Sequence, residues 1–299
     1  MCTIKKLFQE FCKNNPQLTL EQSVEYFSIL GGVEVPVALD FFDDVFSMLE
    51  SNFVNDFPKY KDAIYPSYIT ESPYSELLSA IAKGDGKVHS VFRKARLSES
   101  VGLELVNELL SLGVIWIEKS RESPLKVHPK HKLKKELRSY RIQDKLRFVK
   151  PFHHFWFGFI SYYTDELKHG KSTDFLDNFK NNYERLRTLV YEQLCNSFLK
   201  EYYSKTTPLI NSGTYWNQYS EFDILALSSN KKIILAECKY KDRKICKNEL
   251  NKLHEKAIQS DIKVDVYILF SKSGFSNELL NLKDENLLLF DINDLMALC

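Results

Sequence analysis

Lys232 to Lys241 reads KIILAECKYK, an apolar run of strand length bounded by charge. Side chains alternate along a strand, so Leu235, Glu237 and Lys239 share one face, and Ile234, Ala236, Cys238 and Tyr240 share the other. Two successive charges on one face of so apolar a strand are costly to bury and add nothing to packing. Either the strand lies exposed at a sheet edge, or the charges have a use.

The neighbouring segments supply a sheet. Leu209 to Asn217 and Glu221 to Leu227 have strand character, as do Val264 to Phe270 and Leu287 to Phe290. Helical periodicity marks Tyr183 to Tyr203, Cys246 to Ser260 and a short stretch from Ser276 to Leu282. The resulting order, αβββαβ, predicts a mixed α/β domain with helices on both faces of a sheet. A hairpin across Ser228, Ser229, Asn230 and Lys231 would set Asp223, in EFDILAL, beside Glu237 on the next strand.

Asp223, Glu237 and Lys239 are then expected to converge, a set that resembles the one in PD-(D/E)XK nuclease-like, restriction-endonuclease-like folds. Two carboxylates suit Mg²⁺ or Mn²⁺ with waters completing its shell. The metal acidifies an attacking water and neutralises charge on a phosphodiester. A nearby lysine can orient that water or act as a positioned charge. Glu192, on the long helix before the strands, is a further oxygen ligand in this reading. The pattern Glu-x-Lys alone has little weight, because Glu166 and Lys168 repeat it in a helical segment.

Upstream, helical spacing covers Ile4 to Cys12, Leu20 to Leu30 and Val37 to Phe53, a packing module without chemistry of its own. Helices are expected at Tyr74 to Lys83, Lys87 to Ala95 and Ser98 to Leu112, with Ser98 as N-cap. The last closes in Leu-Gly-Val-Ile and runs into a strand from Val114 to Lys119, which resembles the recognition helix and first wing strand of a winged helix-turn-helix. The second wing strand is expected at Arg138 to Ile142.

Charge points to the same place. Net charge is +1, yet Lys119 to Lys150 alone carries +9, leaving −8 elsewhere. Wing loops meet DNA phosphates, so Lys119, Arg121, Lys126, Lys130, Lys132, Lys134 and Lys135 are the candidate nucleic-acid contacts. Against this stand Glu99, Glu104 and Glu108 on the expected recognition helix, and winged helices also bind proteins. The aromatic stretch from Leu146 to Lys168 is expected to form a packed joint between the two halves, with base stacking as the alternative and His153 and His154 structural.

Taken in order, the motifs YFSILGGVEVP, YRIQDKLRFVKPFHHFWFGFI, YEQLCNSFL, SEFDILAL, ILAECKY, LFSKSGFS and LLLFD resemble the C-terminal part of the archaeal-type ATPase family, from about Leu20 onward. That resemblance implies a winged helix followed by a PD-(D/E)XK-like end domain, with Glu192, Asp223, Glu237 and Lys239 at the nuclease-like positions. It does not extend to ATP, because no G-x-x-x-x-G-K-[ST] is present and Gly84 to Lys87 runs on into Val-His.

Three regions follow: 1–70 helical, 71–145 winged helix with basic wing, and 146–299 nuclease-like. Two functions remain open. One is a Mg²⁺-dependent DNA endonuclease. The other is a catalytically inactive DNA-binding regulator or adaptor working with a separate protein partner. With 299 residues, 44% hydrophobic content, no membrane-length apolar run and six scattered cysteines, the chain reads as a folded cytoplasmic protein with reduced thiols.

Overall fold

The computed structural model describes residues 3–123, 132, 140–282 and 284–299. The chain is a mixed α/β protein, helical toward its N-terminus and sheet-rich toward its C-terminus. It clusters into two compact units: Met1–Glu118 with Lys145–Leu194 and Met296–Cys299, and Lys119–Asp144 with Cys195–Leu295.

The first unit begins with α1 (Ile4–Asn14), α2 (Leu20–Leu30), α3 (Val45–Met48) and α4 (Phe57–Asp62). Thr19 and Gln22 form a capping box that starts α2. Then follow α5 (Tyr74–Lys83), α6 (Val88–Lys94) and α7 (Glu99–Ser111). Ser98 accepts from the Val101 N–H, as its sequence position predicts. Gly113, at φ +66°, closes α7: Val114 N–H donates to Leu109 O and Gly113 N–H to Leu110 O, the paired bonds of a Schellman turn.

That turn aims the chain into β1 (Ile115–Glu118), which pairs antiparallel with β2 (Lys145–Phe148). The second wing strand is therefore Lys145 to Phe148, not Arg138 to Ile142. LRFV carries the alternation that the ladder needs, but it adjoins an aromatic run and reads from sequence as part of it. Arg138 itself lies outside the described residues, and Arg141 and Ile142 are in no strand. Gly86 approaches β2 closely, accepting from Leu146 N–H at 2.8 Å.

Next come α8 (Pro151–Phe155), a π turn over Trp156–Ile160, α9 (Thr164–Lys168) and α10 (Thr173–Ser204), whose residues up to Leu194 belong to the first unit. The π turn rotates successive side chains inward, so every residue from Phe155 to Ile160 is buried. Phe57 stacks on Trp156 at 5.7 Å, and Phe53 meets Phe155 at 5.4 Å. The aromatic run is thus core of the first unit rather than a joint. Its histidines are structural: burial pushes His153 down to about 3 and His154 down to about 4, so both stay neutral.

Tyr183 on α10 bonds Ser28 Oγ at 2.8 Å and donates to Glu25 O, while Arg187 pairs with Glu25 at 2.9 Å. Cys12 is disulfide-bonded to Cys299, which corrects the expectation of reduced thiols for these two. Cys195, Cys238 and Cys246 are not disulfide-bonded. No helix among the described residues is long and apolar enough to cross a membrane.

The second unit holds one sheet of β3 (Leu209–Trp216), β4 (Glu221–Ser228), β5 (Ile233–Lys239), β6 (Val266–Ser271) and β7 (Leu287–Asp291), in that order. The β3, β4 and β5 ladders are antiparallel, and β5, β6 and β7 run parallel. With α10 before it, α11 (Lys247–Gln259) between β5 and β6, and α12 (Asn277–Leu280) before β7, the order is the expected αβββαβ followed by the short helix and strand also expected at Ser276 to Leu282 and Leu287 to Phe290. Leu235 and Leu269 pack against Leu250, Leu253 and Ala257 of α11 on one face. Phe198 of α10 meets Phe270 and Phe290.

Close helix approach in the first unit rests on Gly102, where a Cβ would lie 2.6 Å from the Phe92 ring. Gly102→Ala is expected to lower unfolding stability by about 1–3 kcal/mol, as over-packing does. Gly158→Ala, whose Cβ would meet neighbours at 3.6 and 3.8 Å, should change it little. Chemical denaturation of the two variants measures the difference.

Candidate functional site

The β4–β5 hairpin turns where the sequence places it. Lys231 takes φ +65°, and Ser228 and Lys232 close the turn through Ser228 N–H to Lys232 O and Lys232 N–H to Ser228 Oγ. This closure fixes the register: Ile224 opposes Ala236 and Leu225 opposes Leu235. One step further along, Asp223 comes opposite Glu237. Asp223 Oδ2 accepts from the Cys238 N–H at 2.7 Å, which ties that carboxylate to β5.

Glu237 is paired in register with Leu269, a member of the core beneath α11, so its side chain lies on the helix-covered face. It is 7% exposed. Lys239 Nζ bonds its Oε1 at 2.5 Å. The second oxygen, Oε2, is buried without a hydrogen-bond partner, with Lys256 Nζ of α11 at 3.6 Å, within ion-pair range but too far for a hydrogen bond. Lys256 also lies over the Phe222 ring at 5.9 Å.

The electrostatics follow from this crowding. Burial pushes Asp223 up to about 7, and the adjacent Glu237 charge adds to the rise; the Cys238 N–H and the two lysines oppose it. For Lys239, burial pulls the ammonium down, but the Glu237 charge and hydrogen bond, with Asp223, outweigh it and hold the pKa above the ordinary lysine value. Lys239 is therefore a fixed positive charge rather than a base. Burial also raises Glu249 at the start of α11, yet its bond from Lys252 and the charges of Lys239, Lys252 and Lys241 hold it below the usual carboxylate range.

Asp223, Glu237 and Lys239 thus come together in the second unit as the alternation implies. Lys256 is the member that sequence reasoning missed. It stands beside the apolar i, i+3, i+7 set of Leu250, Leu253 and Ala257, where nothing separates it from Lys252, which bonds Glu249 instead. Tyr240 is buried, with Lys272 Nζ 5.0 Å from the centre of its ring. Trp216 is buried with Nε1 donating to Gln143 O. Glu192 is partly buried on the portion of α10 that belongs to the first unit, and is already engaged by a neighbour.

Several members of the basic run have structural partners that a charge count does not see. Arg121 donates to the carbonyls of Gly213, Thr214 and Leu225 and to Asn211 Oδ1, spanning the bulge between β3 and β4. Lys119 pairs with Asp144 at 2.8 Å. In the first unit Arg147 pairs with Glu118, and Lys145 is 1% exposed. Lys132 is exposed, and Lys126, Lys130, Lys134 and Lys135 lie outside the described residues.

Both carboxylates of the pair are hard oxygen donors, the kind that hold Mg²⁺ or Mn²⁺, which bind through one or two protein carboxylates and keep several waters. Glu237 Oε2, buried without a hydrogen bond and with only the Lys256 ammonium at 3.6 Å, fits such a cation. Among the described residues no group of three or more His, Cys, Asp or Glu is gathered as a metal cluster.

Residues 156–257 match the DUF234 family, described as archaea bacterial proteins of unknown function. That segment covers the end of the aromatic run, α10, the β4–β5 hairpin and most of α11, including Asp223, Glu237, Lys239 and Lys256. No curated protein matches the chain. Among solved structures, protein VC1899 from Vibrio cholerae is similar over 85% of this chain and 53% of its own, at 14% identity and a TM-score of 0.27. The chain thus spans about half the length of that protein.

Proposed function

We propose that the second unit is a PD-(D/E)XK-type, divalent-metal-dependent nuclease module that hydrolyses phosphodiester bonds of DNA. The observation that carries the reading is the carboxylate pair: Asp223 and Glu237 on adjacent strands, on the face beneath α11, with Glu237 Oε2 buried and without a hydrogen bond. A sheet gains nothing from such a pair, and a cation makes sense of it. Asp223 and Glu237 would hold Mg²⁺ or Mn²⁺, which acidifies water and neutralises phosphate charge.

The chain's own groups do the rest. Lys239, kept protonated by Glu237, places a positive charge at the rim of the pair, where an attacked phosphate needs one. Lys256 holds the second Glu237 oxygen from the helix side. Glu192 is an additional ligand only if α10 brings it to the metal. The similarity to the end domain of the archaeal-type ATPase family supports the same reading, and the missing phosphate loop argues against ATP as a partner. In a cytoplasmic protein the Cys12–Cys299 bond would be of the uncommon intracellular kind.

A second reading, a non-catalytic regulator or adaptor, draws on α7. That helix has Glu99, Glu104 and Glu108, no lysine or arginine, and exposed Val101, Leu103 and Leu112 at its surface and end. Tyr68 and Tyr74 donate to Glu108 and hold its pKa below the usual range, so the helix stays acidic. Such a face repels phosphate and suits a protein partner. In this reading DNA binding, if present, is salt-dependent and needs no metal.

Incubation of the full chain with duplex, branched and single-stranded DNA in Mg²⁺ or Mn²⁺ separates the two. Asp223→Ala or Lys239→Ala should lower the cleavage rate by roughly 10²-fold or more without loss of DNA binding. Lys168→Ala, in the helical copy of the motif, should leave it unchanged. Absence of cleavage of every DNA form, or equal cleavage by the variants, contradicts the nuclease reading.

The same pair makes a stability prediction for metal-free protein. A carboxyl whose folded pKa is raised costs the fold nothing below its ordinary value, and the cost grows with pH until it is complete above the raised value. For Asp223 that window runs from 3.8 to about 7. With a chelator present, Asp223→Asn should therefore raise Tm by about 2 °C or more at pH 8 and by nothing near pH 4. Thermal melts at the two pH values read this directly.

A further inference from the structure

A second concavity lies wholly in the first unit, between the end of α5, the 158–163 segment and α10. Its volume is about 410 Å³, within the range of small-ligand sites. Its polar wall is Lys83, Tyr162, Asn178, Asn182 and Arg185, with Phe159 beneath, and no lining residue is an aspartate or glutamate. Neither Lys83 nor Arg185 has a carboxylate partner among the described residues.

Arg185 donates to the carbonyls of Lys83 and Gly84, which pins the guanidinium at the end of α5 while leaving its charge unneutralised. Lys83 Nζ lies 5.7 Å from the centre of the Tyr162 ring, and Tyr162 is 78% exposed although it follows the buried run from Phe155 to Ile160. Asn178 and Asn182 stand one turn apart on α10. Asn182 Nδ2 donates to Asn178 O and Oδ1 at 3.0 Å, leaving Asn178 Nδ2 as a donor and Asn182 Oδ1 as an acceptor.

A tyrosine ring exposed on the face away from Lys83, an ammonium over its other face that no carboxylate neutralises, and a carboxamide donor and acceptor are what a planar base with an attached phosphate requires. We propose that this concavity binds a 5′-nucleotide unit, its base stacked on Tyr162 with its edge toward Asn178 and Asn182, and its phosphate at Lys83. The unit can be a free mononucleotide or the phosphorylated end of a nucleic-acid strand, since both present the same chemistry.

Calorimetric titration of the full chain with AMP, adenosine, inorganic phosphate and a 5′-phosphorylated single-stranded oligonucleotide tests this. Saturable binding is expected for AMP, the oligonucleotide or both, with adenosine and phosphate each at least tenfold weaker. Tyr162→Ala and Lys83→Ala should each weaken binding about tenfold, while Tyr162→Phe retains it. Both side chains are exposed, so unchanged circular dichroism and Tm establish that the variants are folded. Asp223→Ala should bind as the parent does, which keeps this site's result apart from that of the nuclease reading. AMP binding alone assigns a free nucleotide, and oligonucleotide binding alone assigns a strand end. No saturable binding, binding indifferent to both alanine variants, or phosphate binding as tightly as AMP overturns the proposal.

Discussion

The strand register of the C-terminal unit holds two carboxyl groups together on one sheet face. Asp223 and Glu237 come from neighbouring strands, and the turn from Ser228 to Lys232 fixes the register that sets them side by side. A one-residue slip would move Glu237 to the opposite face, among Cys238, Phe270 and the aromatic contacts of α10. The parallel β5–β6 ladder excludes that slip, because it also places Leu235 and Leu269 beneath α11. The apolar core thus holds in place a polar pair that it does not itself need.

The surrounding cations temper the repulsion without removing it. Lys239 bonds one Glu237 oxygen closely, while Lys256 stands off the other; burial, and after it the Glu237 charge, raises the pKa of Asp223. The first unit has the reverse arrangement, a concavity with cations and no carboxylate in its lining.

Local features were legible in the sequence because local rules produce them. Alternation in KIILAECKYK gave the faces of Leu235, Glu237 and Lys239, the Ser-Ser-Asn-Lys stretch gave the hairpin, and Ser98 gave the start of α7. What was not legible is long-range. The partner of β1 was misplaced because LRFV is continuous with an aromatic run, and that run proved to be core because Phe53, Phe57 and Tyr60 arrive from far upstream. Arg121 counts as surface charge until four acceptors on β3, β4 and Asn211 claim it. Lys256 becomes part of the site only when α11 is laid over the sheet, and the Cys12–Cys299 bond joins opposite ends of the chain.

The claim that most needs testing is that Asp223 and Glu237 together hold a cation. Crystals grown with Mn²⁺ and measured at its absorption edge give the most direct answer. The account expects one anomalous peak with oxygens of both carboxylates in its coordination shell, and none in crystals of Glu237→Gln. An empty pair with Lys256 closed onto Glu237 Oε2, at a Mn²⁺ concentration that supports binding elsewhere on the protein, would contradict it.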